Sequence, residues 1–406
     1  MAISRRMLLK TAVAGGVAAT FPLRLAFAAG GAGASNIIVF ALMRGGMDGL
    51  NLVAPSDDAD LNAARPASLR LLSSGASAGL SLANGPSAND WRLHPSAPEL
   101  KTLYDAGHLA FVHAAGIPAD SRSHFQMQAF LEHGVADPVA LTRSNGWIGQ
   151  YGLSSGISAS TFALVSAAPT LPASLSGDPG AVSLPDPNSF VLGSTAQAQF
   201  LASAYAAAPG LTGASGRSAI NAVNAFQKVN SGFTPPKPGT YGTDSLAKGF
   251  SVIAELIKLN VGLQMAEVEY TNWDTHVNQQ PRFAGSVSVL SKALGAFYAD
   301  IAAYADRVTV VMMSEFGRRV QSNASGGTDH GHGNVMTVLG GKVRGGRIYG
   351  QWSGLKPAVL DLGDVPVTTD YRSVLSEVVS ATRGDLASTV FPGFTPPTQP
   401  LGLFAA

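Results

Sequence analysis

Four short apolar runs constrain the fold of this 406-residue chain more than any other feature. They are residues 37–42, 109–113, 308–313 and 335–339. Such runs, followed by glycine-rich or acidic turns, are typical of strands buried on both faces of a sheet. Apolar residues at helical spacing predict helices over residues 121–132, 251–268 and 286–305. Strands that alternate with long helices predict an α/β fold, with a mostly parallel central sheet and helices on both faces.

The first 28 residues carry the features of an export signal. Arg5 and Arg6 precede a moderately apolar run over residues 11–23. Ala26 and Ala28 then supply the small residues that a signal peptidase recognises before its cleavage site. The paired arginines resemble a twin-arginine signal. We therefore predict that residues 1–28 are a signal peptide read by the twin-arginine translocase, and that the mature protein is periplasmic or secreted. An uncleaved amphipathic arm is the alternative.

Composition excludes several function classes. The chain has no cysteine, so disulfides, thiolate zinc sites, iron–sulfur clusters and a cysteine nucleophile are excluded. Of its 27 lysines and arginines, four lie in residues 1–28, which leaves 23 basic against 26 acidic residues in the mature chain. Such a chain, without a basic stripe, is a poor partner for nucleic acid. No stretch of it reaches the roughly 18 apolar residues of a membrane span.

The mature chain, residues 29–406, is interpreted as a single domain. Between about residues 154 and 237 it becomes rich in Ala, Ser, Pro and Gly. This composition is typical of loops, so we predict an insertion or cap there, with a short helix of its own near residues 218–229.

Carboxylates and histidines follow the predicted strands or lie in the loops that join them. The candidates are Asp48, Asp274, His276, Glu315, Asp329, His330 and His332. Because ligands of open α/β sheets bind beyond the carboxyl ends of the strands, we predict that these side chains converge on one metal site. Mixed carboxylate and imidazole ligands suit zinc or manganese better than calcium. The alternatives are that Asp48 is a turn residue and that Asp274 caps a helix.

A second group of candidates lies at the start of the helix predicted over residues 121–132. It consists of Ser121, Arg122, Ser123 and His124. The free amide donors and the dipole of a helix N-terminus can hold an anion, so this group is a candidate catalytic or anion-binding site. The alternative is that the serine hydroxyls only cap the helix.

Several sequence blocks resemble the DUF1501 family, and they occur in order along nearly the whole mature chain. The blocks are Arg44-Gly45-Gly46-Met47-Asp48-Gly49, Ser121-Arg122-Ser123-His124-Phe125, Trp273-Asp274-Thr275-His276, Ser314-Glu315-Phe316-Gly317-Arg318 and Asp329-His330-Gly331-His332-Gly333. Members of that family are typically bacterial, often carry twin-arginine signals and are grouped with the alkaline-phosphatase-like fold. Their activity is unassigned. The resemblance therefore implies an alkaline-phosphatase-like fold more strongly than it implies a function.

The resemblance also implies roles for individual residues. Asp48 is similar to the acidic metal ligand that opens the site of the phosphatase and sulfatase superfamily. Ser123, or Ser121, is similar to its nucleophile at a helix N-terminus. Asp274 and His276 resemble the pair that binds the metal activating the hydrolytic water.

The chain departs from that superfamily pattern at two points. Glu315-Phe316-Gly317 stands where many relatives have Asp-His-Gly, so the adjacent histidine is missing. No Ser-x-Pro-x-Arg follows Ser121 or Ser123, which argues against the modified-residue mechanism of sulfatases.

The last ligand histidine of the pattern corresponds to His330 or His332. Gly331 between them permits a sharp turn, so that both rings could bind metal. We favour the arrangement in which one ring is a ligand, His332 rather than His330, and Asp329 orients the ligand imidazole.

Together these interpretations predict an exported metal-binding protein that hydrolyses phosphate or related esters. One divalent metal, zinc or manganese, would polarise the transferring group, and a second would lower the pKa of its bound water or of Ser123. Arg122 would neutralise the small anionic ester. Two other classes are a non-catalytic binding or assembly module at the cell surface, and an exported metal-dependent oxidoreductase. Nothing in the chain resembles a dinucleotide fingerprint or a haem attachment motif, which argues against the oxidoreductase.

Overall fold

A computed structural model describes residues 36–157, 162–187, 191, 193–210, 240–384 and 386–405, together with single positions between 213 and 227. The predicted signal peptide, residues 1–28, lies outside the described residues. So does most of the segment near residues 218–229, where a short helix is predicted.

Fourteen strands are described, and they are numbered in chain order. They are β1 (Ile37–Met43), β2 (Val53–Pro55), β3 (Leu80–Ser81), β4 (Trp91–Leu93), β5 (Leu109–Gly116), β6 (Leu164–Ser166), β7 (Val182–Ser183), β8 (Met265–Tyr270), β9 (Val308–Met313), β10 (Arg318–Ser322), β11 (Thr328–His330), β12 (Asn334–Gly340), β13 (Arg347–Tyr349) and β14 (Thr369–Asp370).

The α-helices of the described residues are numbered in the same way. They are α1 (Gly49–Leu52), α2 (Ala59–Ala64), α3 (Pro98–Asp105), α4 (His124–His133), α5 (Pro138–Leu141), α6 (Trp147–Ser155), α7 (Thr195–Ala207), α8 (Ser245–Leu259), α9 (Gln279–Asp300), α10 (Tyr371–Arg383) and α11 (Ala387–Val390).

Among the described residues, the central sheet has nine strands in the order β13-β5-β12-β9-β1-β8-β6-β7, with β14 paired to β5. Only β12 is reversed, since it is antiparallel to both of its neighbours, β5 and β9. The other pairings within this sheet are parallel. The predicted α/β class with a mostly parallel central sheet is therefore confirmed. Two small antiparallel sheets, β2-β4-β3 and β10-β11, complete the described strands.

Both faces of the central sheet are covered. Every residue of β1 is buried, and alternate residues enter different cores: Val39 and Ala41 enter one, Phe40 and Leu42 the other. This is the period of two that a strand imposes on its side chains. The first core also contains residues of α3, α8 and α9, and the second contains residues of α4, α6 and α10. Helices thus lie on both faces, as predicted.

One predicted helix is wrong in its second half. The helix predicted over residues 251–268 ends at Leu259, where Asn260 caps it with a positive φ of 52°. Gly262, with φ of 88°, follows, and the chain then continues as β8 beside β1. The apolar residues of β8 extend the helical spacing of α8 by coincidence, which hid a central strand. The helix predicted over residues 286–305 is α9, which begins earlier and ends at Asp300.

Part of the predicted insertion belongs to the sheet. Of residues 154–237, the described part supplies β6 and β7, which extend the sheet beyond β8. No described helix is both long and apolar enough to cross a membrane.

The parallel strands β1, β5, β8 and β9 all end at one edge of the sheet. The segments that follow these four strands contain the candidate residues Asp48, His124, Asp274 and Glu315. The fold therefore delivers the candidate residues to one side, where open α/β sheets bind ligands.

Candidate metal centre

Three histidine rings and one carboxylate meet at this edge of the sheet. Nε2 of His276 lies 2.9 Å from Nε2 of His330 and 3.1 Å from a carboxylate oxygen of Asp274. Nε2 of His330 and Nε2 of His124 lie 3.6 Å and 3.7 Å from oxygens of the same carboxylate. We call these four side chains, His124, Asp274, His276 and His330, the histidine cluster.

The other ring nitrogen of each histidine faces an acceptor. The pairs formed by the Nδ1 atoms are His124 with Oε1 of Glu315 at 2.7 Å, His276 with Oδ1 of Asp329 at 2.8 Å, and His330 with the carbonyl oxygen of Arg122 at 2.8 Å. Carboxylate and carbonyl oxygens only accept, so each Nδ1 carries the proton. A neutral ring of this tautomer presents the lone pair of Nε2 to the cluster. Metal-ligating histidines are oriented by the same kind of contact.

Glu315 is a buried carboxylate that fixes His124. It accepts hydrogen bonds from the backbone N–H of Gly45 at 2.9 Å and from Nε2 of Gln128 at 2.7 Å, besides that of His124. Burial raises the pKa of Glu315, but these hydrogen bonds outweigh burial and hold the pKa at about 2. Glu315 was predicted to bind metal directly. The structure instead places this ionised side chain behind His124.

Arg318 holds the carboxylate of the cluster. Its side chain is fully buried, and Nη2 donates to Oδ1 of Asp274 at 2.7 Å and to the carbonyl of Gly45 at 2.5 Å. Burial of Asp274 opposes ionisation, yet the hydrogen bond and charge of Arg318 lower its pKa below the usual range. Only glycine fits at position 45, because φ is +119° and an added Cβ would lie 2.6 Å from the backbone nitrogen of Asp274. The turn after β1 therefore packs directly against the cluster.

The cluster fits a metal ion by three criteria. Nε2 of His124 is buried and has no hydrogen-bond partner, which is costly for a lone pair unless something binds it. Ligand atoms of His124, Asp274 and His330 all lie within 4.8 Å of one another, and this is the one such group found among the described residues. Zinc bonds of roughly 2.0–2.1 Å in tetrahedral geometry separate ligand atoms by about 3.3 Å. The contacts that Asp274 and His330 make within the cluster, 2.9–3.7 Å, are close to that value, whereas His276 is not part of the group of three.

The protonation state of His330 also suits a ligand. Burial lowers its pKa, and the nearby positive charge of Arg318 acts in the same direction. The ring is therefore neutral near pH 7, and a neutral imidazole is the form that binds a metal.

Asp48 lies outside the histidine cluster, contrary to the prediction. Its carboxylate pairs with Arg65 through contacts of 2.7 Å and 3.1 Å, and both side chains are fully buried. Nε2 of Gln279 donates to Asp48 at 2.6 Å, and the backbone N–H of Asn51 donates at 3.3 Å, so that Asp48 caps α1. With both oxygens bound by fixed donors, Asp48 serves as the counter-ion of Arg65.

His332 lies outside the cluster as well, which reverses the predicted preference for His332 over His330. Its Nδ1 contacts the carboxylate of Asp361, and Nε2 lies 3.0 Å from the carbonyl of Ile117. The two rings separate at Gly331, which donates to the carbonyl of Gly317 at 2.9 Å. Because the backbone is held there, His330 faces the cluster while His332 is directed into other contacts.

The residues at the start of α4 lie beside an open cleft of about 340 Å³. The cleft is lined by Asp120, Ser121, Arg122, Arg319, His330, Leu362 and Asp364. The guanidinium of Arg122 donates to Asp364 at 2.8 Å and to Asp361 at 3.3 Å. Ser121 donates to Gln126 at 2.8 Å, whereas Ser123 is the exposed N-cap of α4 and its side chain makes no capping bond. His330 belongs to both the cleft and the cluster.

Sequence reasoning missed two residues that support the cluster. Arg318 lies in the same sequence block as Glu315, but nothing in the block indicates that its side chain is buried. Gln128 lies four residues after His124, hence on the same face of α4, which was the available signal. Arg44 donates to Gln128 at 3.0 Å and so orients the amide toward Glu315.

The alternative prediction for Asp274, that it caps a helix, is wrong, since Asn278 is the N-cap of α9.

The family comparison agrees with the resemblance seen in the sequence. The family described as "Protein of unknown function (DUF1501)" matches residues 177–371. This range contains Asp274, His276, Arg318 and His330, whereas His124 precedes it. A comparison with curated proteins finds no significant match.

The solved structures that resemble the chain include a sulfatase, a protein in the alkaline phosphatase superfamily and a lipoteichoic acid synthase. The PsFucS1 sulfatase from Pseudoalteromonas sp. is 10% identical, with a TM-score of 0.44 over 91% of this chain and 72% of that one. A protein in the alkaline phosphatase superfamily from Vibrio parahaemolyticus is 10% identical, with a TM-score of 0.35 over 86% of this chain and 72% of that one. The lipoteichoic acid synthase LtaP from Listeria monocytogenes is 9% identical, with a TM-score of 0.33 over 84% and 76%.

Proposed function

We propose that this chain, whose residues 177–371 match the DUF1501 family, is an exported, metal-dependent hydrolase of phosphate or related esters. The proposed metal ligands are Nε2 of His124, His276 and His330, and the carboxylate of Asp274. Glu315 and Asp329 orient two of the rings from behind. Zinc is the proposed ion, with manganese as the alternative, because three imidazoles and one carboxylate suit these metals.

One observation carries the metal site. Three Nε2 atoms and a carboxylate converge, while every Nδ1 faces an oxygen acceptor. Wherever Nε2 carries no proton, such rings direct lone pairs at one another and at an anion, which is unfavourable unless a cation lies between them. A bound divalent cation supplies that charge.

The cleft beside His330 supports an anionic ester as the substrate. Arg122 and Arg319 line it, and a phosphate oxygen can take the place of a carboxylate oxygen on Arg122. A divalent ion held by the cluster would supply electrophilic catalysis, either by polarising the ester or by making a water molecule more acidic. In the net reaction water adds to phosphorus, the bond from phosphorus to the alcohol oxygen breaks, and the alcohol leaves with a proton.

The hydroxyls of Ser121 and Ser123 remain the candidate nucleophiles. Ser121 lines the cleft, and Ser123 has an uncommitted, exposed side chain beside the ligand His124. If either serine attacks, its substitution by alanine lowers kcat by several orders of magnitude. If water attacks directly, both alanine variants retain most of the activity.

The activity test uses a panel of phosphomonoesters, phosphodiesters and sulfate esters with zinc- or manganese-loaded protein. We expect hydrolysis of at least one ester class, loss of activity with a chelator, and recovery on adding metal. Asp274→Asn should abolish activity. The matched control is Asp58→Asn, at a helix cap remote in sequence from the cluster, which should leave activity unchanged. Metal-loaded protein that hydrolyses none of these esters contradicts the proposal.

A second candidate is a metal-binding module without turnover. The pairing of Arg122 with Asp361 and Asp364 favours it, because an anion must compete with two carboxylates for this guanidinium. The same panel separates the candidates, since the module binds metal and hydrolyses nothing.

Export through the twin-arginine translocase is part of the proposal, supported by Arg5 and Arg6. Replacing both with lysine should retain the precursor in the cytoplasm. Mature protein of the double variant in the periplasm would contradict this route.

A further inference from the structure

Several large apolar side chains are exposed in the described part of the chain, and three of them belong to residues that line the cleft or directly follow a histidine of the cluster in the sequence. Phe125 is 91% exposed, Leu362 is 73% exposed and Val277 is 56% exposed. Phe125 directly follows His124, Val277 directly follows His276, and Leu362 lines the cleft together with His330. We call these three residues the apolar rim. Large apolar side chains grouped around a site usually contact a ligand.

Leu362 is also held in an unfavourable backbone conformation. Its φ is +52°, in the left-handed region that residues with a bulky side chain rarely adopt. The turn that contains it is fixed by contacts of Arg122 with Asp361 and Asp364. Backbone strain of this kind persists where the surrounding structure enforces it, and it is concentrated at functional sites. Glycine or asparagine would fit this position with less strain, so leucine here combines a backbone strain with an exposed apolar side chain at the cleft.

We infer that the apolar rim binds the alcohol part of the ester, and that the substrates are anionic esters of apolar alcohols, such as aryl or alkyl esters, rather than sugar esters. This inference rests on the proposed function and specifies its substrate class. The charged group of such a substrate lies at Arg122 and His330 in the cleft. Its apolar group covers Phe125 and Leu362, which removes exposed apolar surface from water.

The test measures binding, so it does not depend on turnover. The probes are phenylphosphonate and methylphosphonate, which share a head group that is not hydrolysed. Zinc-loaded wild-type protein should bind phenylphosphonate roughly 10-fold more tightly or better, the scale on which apolar pockets discriminate. Phe125→Ser should reduce that preference to about twofold or less. Phe200→Ser, which replaces an exposed phenylalanine in α7, is the matched control and should keep the preference.

A second variant addresses Leu362. Leu362→Asn relieves the backbone strain, so it should raise Tm while it weakens the preference for phenylphosphonate. A higher Tm with an unchanged preference would limit Leu362 to a structural turn and overturn its part in the rim.

The remaining outcomes each count against the inference. If both phosphonates bind with equal affinity, the anion site stands and the apolar rim has no part in it. If neither binds to zinc-loaded protein, the proposed function fails and the inference fails with it. If wild-type protein forms dimers in sedimentation and Phe125→Ser does not, a second copy of the chain covers the rim instead of the substrate.

Discussion

Replacing Asp48 with alanine distinguishes the structural role seen here from the metal-ligand role predicted from the sequence. The substitution leaves the guanidinium of Arg65 buried without its counter-ion, although Arg65 still donates to the carbonyls of Leu69, Arg319 and Val320. Removing one partner of a buried ion pair costs about 3–5 kcal/mol of unfolding free energy. The loss of the α1 cap is included in that figure, because the same carboxylate serves both purposes.

The assay combines thermal unfolding with metal analysis of the same sample. At roughly 2 °C per kcal/mol for a large domain, we expect Tm to fall by about 6–10 °C, with zinc content unchanged. Asp58→Ala is the matched control, because Asp58 caps α2 through Leu61 without an ion pair. It should cost only about 1 kcal/mol. Loss of zinc from Asp48→Ala with an unchanged Tm would refute the structural role and restore Asp48 as a ligand.

Two further predictions concern buried carboxylates. Glu315→Gln should weaken zinc affinity by ~10–100-fold without abolishing binding, because a neutral amide oxygen is a weaker acceptor for Nδ1–H of His124 than the carboxylate is. His124→Ala should abolish binding. Unchanged affinity in isothermal titration of Glu315→Gln would show that the contact does not orient the ring. Burial raises the pKa of Glu267 to about 8, so the folded protein keeps this proton while the unfolded chain releases it near pH 4.5. The free energy of unfolding should therefore fall as pH rises from about 4.5 to about 8. Glu267→Gln, which stays neutral, should gain stability relative to the wild type at pH 9, as measured by urea denaturation. A difference that is the same at pH 5 and pH 9 would contradict the raised pKa.

The central strands could be predicted because each of them is buried on both faces. Runs such as residues 308–313 are almost entirely apolar and rich in β-branched residues, and their short length favours a strand over a helix. The strand β8 was missed although it is almost entirely buried, because glutamates interrupt its apolar run and its apolar residues continue the helical spacing of α8. Its sequence Met-Ala-Glu-Val-Glu-Tyr places glutamates at alternate positions, and Glu267 is buried there as a polar residue. Local pattern does not indicate that a glutamate occupies a core position.

The candidate site could be predicted in its composition but not in its contacts. The ends of the predicted strands identified the segments that carry the site. The three histidines and Asp274, which meet in the histidine cluster, were among the candidates. Whether a carboxylate faces a metal or an arginine depends on partners far away in the chain. Asp48 meets Arg65, which is 17 residues away, and Glu315 meets His124, which is 191 residues away. The choice between His330 and His332 likewise depends on Asp361, which belongs to a different loop.

The most direct test of the metal centre is the zinc content of three proteins after loading and exhaustive dialysis. The wild type and His332→Gln should each retain one zinc per chain, because His332 lies outside the histidine cluster. His330→Ala should retain none, while circular dichroism shows that it is folded. A wild type without bound zinc or manganese, or a His330→Ala protein that keeps its metal while His332→Gln loses it, would contradict the assignment of the cluster as the metal centre.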